Sequence, residues 1–152
     1  MLMTDEDLND LTTAFEDYVN TFAVPTGGLH PLLNLKLEHS KRVANEARIL
    51  SHTLNWSSAR QNTAEALGLL HDAGRFSQFW DFGTFSDALA SNHAEIGWKV
   101  LQSEGILTNI NVKDRKTILT GTRYHNCLQP PEDLSPDYTP FLQLIRDADK
   151  LD

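Results

Sequence analysis

Apolar residues recur along this chain at intervals of three and four, the period of an amphipathic helix. Leu8, Leu11, Phe15, Tyr18, Val19 and Phe22 define a first helix over about 5–22. Thr4 stands before Asp5, Glu6 and Asp7 as a helix-opening cap, with acids at the positive end. Pro25-Thr26-Gly27-Gly28 breaks it. A longer helix follows from about Pro31 to Leu54. Leu35, His39, Val43, Ala47, Leu50 and Leu54 share one stripe of it. His39 therefore faces the core, whereas Lys36, Lys41, Arg42, Glu46 and Arg48 mostly fall on other faces. His52 lies about 220° further round than His39 and points elsewhere.

Ser58-Ala59-Arg60-Gln61 has the pattern of a capping box and opens a helix over about 59–72. Ala66, Leu67 and Leu70 form its apolar side, and it ends in His71-Asp72, with Gly74 suited to a left-handed cap. Arg75 to Phe85 reads as an irregular, aromatic-rich stretch that covers the core or walls a pocket. Helical spacing resumes from Asp87 to Glu104, where His93, Ile96, Val100 and Leu101 share a face. Asn111 caps a further helix that reaches His125, with Ile118, Thr122 and His125 in step. Pro130 to Asp137 is a loop. Thr139-Pro140 opens the last helix, through Leu151. There Leu142, Ile145 and Asp149 lie on the buried side, and Asp147 lies towards solvent. The pattern yields about six helices.

At 152 residues and 17.1 kDa, one domain over 1–152 is expected, with its core in about 30–152 and an added N-terminal helix in 1–25. No apolar run approaches the roughly 18 residues of a membrane span, and the acidic start is no secretory signal. The single cysteine, Cys127, rules out an internal disulfide and fits a reducing cytoplasm. A net charge of −8 argues against non-specific nucleic-acid binding and against an anionic membrane surface. An anionic substrate would need a local cation.

Burying a histidine beside a carboxylate is costly unless something neutralises and orients them. Six histidines occur, at 30, 39, 52, 71, 93 and 125. Four of them, His39, His71, His93 and His125, fall on inward faces or helix ends. With Asp72 and Asp149 they make a ligand set for Zn, Fe, Mn, Co or Ni. They suit one ion, or a pair bridged by Asp72. A pair would clamp the attacking and leaving oxygens of a phosphoryl transfer.

His39, then His71-Asp72, then Asp149 resembles the HD-domain superfamily of metal-dependent phosphohydrolases. Leu69 to Phe76, His93-Ala94-Glu95-Ile96-Gly97 and Asp147 to Asp152 are similar to motifs of a small bacterial branch. The resemblance implies an all-α helical bundle with its site at the centre. It implies that His39, His71, Asp72 and Asp149 bind the first metal, and that His93 and His125 add a second. One or two divalent ions (Mn, Fe, Co, Ni, Zn or Mg) would then serve hydrolysis of a nucleotide or other small phosphorylated metabolite. Asp72 would also orient the attacking water. Arg75 is the first choice for a cation on the phosphoryl oxygens, with Lys150 or Arg123 next. The sequence lacks a glycine-tyrosine-proline signature after Asp72, and His125 precedes Asn126, which argues against cyclic-dinucleotide cleavage. Relatives continue past the last motif, so a partner subunit or further chain would complete the pocket, which leaves a homo-oligomer open. Two other readings remain: a nucleotide-sensing module without catalysis, and a di-iron oxygenase.

Overall fold

Thr4 opens the first helix through a reciprocal cap. Its hydroxyl accepts from Asp7 N at 3.1 Å, and the Asp7 carboxylate accepts from Thr4 N at 3.0 Å. The computed structural model describes residues 2–152, and this first helix, α1, spans Asp5–Asn20. Six more helices follow among the described residues: α2 Pro31–Thr53, α3 Ser58–Leu70, α4 Gly74–Phe82, α5 His93–Ser103, α6 Val112–Tyr124 and α7 Thr139–Leu151. The fold is all-α, as expected. No helix among the described residues is long and apolar enough to cross a membrane.

The interior forms around α3, which is apolar on most sides and so must be central. It packs on α1, α2, α6 and α7. On one side, Leu69 and Leu70 join Leu11, Phe15 and Val19 of α1, together with Phe76, Leu101 and Ile118. The Phe15 ring meets that of Phe76 edge-on, 5.9 Å between centroids. On the other side, Ala64 and Leu67 meet Val43, Ala47, Phe141, Leu142, Ile145 and Ala148. Helix α1 therefore contributes to the central packing rather than lying outside it.

Several boundaries differ from the sequence expectation. Among the described residues there are seven helices rather than about six, because residues 75–85 are not irregular: Gly74–Phe82 form α4. This segment packs Phe76 and Gln78 inward at helical spacing. Gly74 takes no left-handed cap. It opens α4, and the αL residue is Gly83, at φ 68°. What Gly74 supplies is closeness, since a Cβ there would stand 2.1 Å from His93 O and 2.5 Å from Gly97 N. Helix α5 starts at His93 rather than Asp87, so residues 83–92 form a loop. Ser57, not Ser58, caps α3, its hydroxyl accepting from Arg60 N. Leu35 and Leu54, expected in the buried stripe of α2, are exposed at its ends.

Candidate metal centre

Helix ends deliver most of the centre. His71 is the C-cap of α3 and His125 the C-cap of α6. Asp72 follows in the three-residue corner between α3 and α4, and His93 is the first residue of α5. His39 comes from the middle of α2, and Asp149 from the last turn of α7. All six residues expected as ligands meet. His71, Asp72, His93 and His125 are buried, whereas His39 and Asp149 are partly open to solvent.

Each imidazole is held from behind. Nδ1 of His71 lies 2.7 Å from Gly68 O, and Nδ1 of His125 lies 2.7 Å from Thr122 O. Nδ1 of His93 is 2.9 Å from Asp87 Oδ2, and Nδ1 of His39 is 2.7 Å from Asp152 Oδ2. Carbonyl and carboxylate oxygens only accept, so each Nδ1 carries the hydrogen. Once a cation displaces the second proton that the neighbouring carboxylates favour on His39 and His71, all four Nε2 atoms present lone pairs inward. This is how histidine ligands are oriented around metals.

Asp72 divides its two oxygens between two groups of imidazoles. Its Oδ2 lies 3.5 Å from His39 Nε2 and 3.6 Å from His71 Nε2. Its Oδ1 lies 3.3 Å from His93 Nε2 and 3.5 Å from His125 Nε2. Asp149 Oδ1 joins the first group, 3.0 Å from His39 Nε2 and 3.3 Å from His71 Nε2. The centre thus has two lobes, one of His39, His71, Asp149 and Asp72 Oδ2, the other of His93, His125 and Asp72 Oδ1. Three overlapping sets of these residues bring their ligand atoms within 4.8 Å of one another.

The donor set fits divalent cations on two observations. His71 Nε2 is fully buried and makes no hydrogen bond. The His93 and His125 Nε2 atoms face each other at 3.1 Å, lone pair to lone pair once both Nδ1 atoms carry hydrogens. A positive charge between them removes that repulsion. The carboxylates already supply the countercharge. Burial opposes ionisation of Asp72, but the imidazoles of His71, His125 and His93 outweigh it and hold its pKa well below the usual range. Asp149 behaves likewise through His39 and His71. Burial disfavours a charge on His71 too, yet Asp72 and Asp149 raise its pKa to about 9. Burial wins at His125 and lowers its pKa.

The choice between the two late aspartates goes to Asp149. Asp147 is exposed and accepts from Gln143 Nε2. Arg75 Nη1 donates to Phe85 O, Gln78 Oε1 and Asp87 Oδ1, so it holds the 83–92 loop instead of standing free beside the ligands. Arg123 pairs with Glu95 and stacks over the Trp98 ring. Lys150 is exposed next to Asp149 in the chain. His30 caps α2, and His52 lies exposed near the far end of that helix.

Three residues of this neighbourhood escaped the sequence reading. Asp87 and Asp152 orient imidazoles, and no local pattern marks an acceptor for a side chain elsewhere. Asp152 also accepts from Arg42, which with help from His39 holds its pKa down at about 2. The helical spacing groups Lys36 with residues that mostly fall on outer faces. It lies one turn before His39, partly buried, with Nζ 5.1 Å from the Phe85 ring centroid.

Among known families, the HD domain model matches residues 37–152 of the chain. That span includes all six residues of the cluster and leaves out α1. No curated protein and no solved structure matches the chain.

Proposed function

The chain belongs to the HD-domain family of metal-dependent phosphohydrolases, and from that premise we propose that it hydrolyses a phosphoester of a nucleotide or another small phosphorylated metabolite. One observation carries the reading: four oriented imidazoles and two carboxylates converge, with Asp72 positioned between two lobes. Divalent cations held by these residues supply the Lewis acidity that makes water nucleophilic near neutral pH and offset the charge of the phosphoryl oxygens.

The protein's own groups supply the remaining steps. Asp149 lies at the open side, its side chain 37% exposed, within reach of an incoming water. Its depressed pKa makes it a hydrogen-bond acceptor that aims the water rather than a base that keeps the proton. Asp72 is buried with one oxygen towards each lobe, so it would hold cations in both lobes and keep the imidazoles around them in place. Lys36 makes no ion pair among the described residues and reaches over Phe85 from the His39 side. We assign it the contact to a non-bridging phosphoryl oxygen. Arg75 contributes indirectly, by holding the loop that carries Phe85.

The test is elemental analysis of the purified protein, followed by a screen of nucleotides and generic phosphoesters with the metal retained. Metal-dependent phosphate release is expected, and Asp72→Ala should lose both metal and turnover. Full activity of Asp72→Ala would end this mechanism. Oxygen consumption by an iron-loaded, coloured protein would point to oxidation instead. Ligand binding without turnover would make the protein a sensing module.

A further inference from the structure

The loop between α4 and α5 is tied to the second lobe through one side chain. Asp87 Oδ1 accepts from Gln78 Nε2 at 2.8 Å, from Arg75 Nη1 at 3.2 Å and from His93 N at 3.2 Å. Its other oxygen orients the His93 ring at 2.9 Å. Gln78 is fully buried and also donates to Ser91 O at 2.8 Å. Arg75 donates to Phe85 O at 2.6 Å. Helix α4 thus grips the loop at Phe85, Asp87 and Ser91, and the middle grip ends on a ligand of the centre. The first lobe has no such dependence. His71 is oriented by the carbonyl of its own helix, and His39 by Asp152.

We propose that Asp87 is the positioning residue of the second lobe, so that a cation between His93 and His125 is bound more tightly when the 83–92 loop is closed on α4. This rests on the reading of the centre as a metal site. Filling the second lobe fixes His93, His93 fixes Asp87, and Asp87 fixes the loop bearing Phe85, over which Lys36 reaches. By linkage, releasing the loop weakens the second ion and leaves the first in place.

The experiment is calorimetric titration of the metal-free protein with Mn²⁺, with ions per chain counted by elemental analysis. Wild type, Asp87→Ala and Asp87→Asn are compared. The wild type should take two ions. Asp87→Ala should keep the first at wild-type affinity and bind the second about 10- to 100-fold more weakly, the usual loss when a ligand's orienting partner is removed. Asp87→Asn keeps the shape and an acceptor oxygen. It guards against misfolding and should weaken the same ion by less. Chymotrypsin should cut at Phe85 in metal-free wild type and in both variants, but slowly in loaded wild type. Two ions bound by Asp87→Ala at wild-type affinity would overturn the inference. So would one ion per wild-type chain, unaffected by Asp87→Ala, although the metal-site reading would survive. A wild type that binds no ion would sink that reading itself.

Discussion

Gly74→Ala tests whether packing between α4 and α5 sets the geometry of the centre. The added Cβ would sit 2.1 Å from His93 O, 2.5 Å from Gly97 N and 3.1 Å from Gly97 Cα. All three are backbone atoms, so no side-chain rotation relieves the clash. Ordinary contact begins at 3.4 Å, so α5 must retreat by about 1 Å at its first residue. That residue is His93. A metal site tolerates displacements of about 0.5 Å before its ligands lose productive geometry. Overpacking of this kind costs about 1–3 kcal/mol. Urea denaturation reads the stability loss as a lower midpoint, by about 1 M for a slope near 2 kcal/mol/M. Mn²⁺ titration reads the loss at the second lobe. Gly121→Ala is the comparison. The three atoms nearest its Cβ are Leu67 side-chain carbons, at 2.6 Å, 2.7 Å and 3.2 Å, and not α5 backbone. It should cost less and spare His93. A Gly74→Ala protein with the wild-type urea midpoint and unchanged metal binding would refute the reasoning.

Lys36→Ala should lower kcat/KM by about 10- to 100-fold, the worth of a hydrogen bond to a charged group, mostly through KM; an unchanged KM would remove Lys36 from the substrate contact. Phe15→Ala should cost about 3–5 kcal/mol, since its ring is fully buried against Phe76. Unfolding should stay a single transition, and a loss below 1 kcal/mol would detach α1 from the core. Without metal, stability should fall with rising pH. The folded pKa of His71 is raised to about 9 from 6.5. Its contribution is therefore complete below pH 6.5 and lost as pH climbs through 9, by about 3 kcal/mol in all. Chelated protein that holds constant stability across that window would contradict this, and bound metal should abolish the slope by displacing the proton.

What the sequence determined by itself was the helical period and the chemistry it carries. Leu142, Ile145 and Asp149 recur at helical spacing, which was enough to prefer Asp149 over Asp147 and to set His39, His93 and His125 inward. Those inferences are local, because a helix fixes the direction of each side chain relative to its neighbours. Helix α4 was missed where local signals conflicted: two glycines and an aromatic run look irregular until Phe76 and Gln78 find the core. Only the tertiary structure decided which polar groups meet across distance. Asp87 and Asp152 become the partners of His93 and His39, Arg75 is drawn to the loop, and Lys36 comes over Phe85. The physical reason is that a hydrogen bond between remote side chains depends on how helices cross. That crossing is set by close contacts such as Gly74 against Gly97, which no period along the chain records.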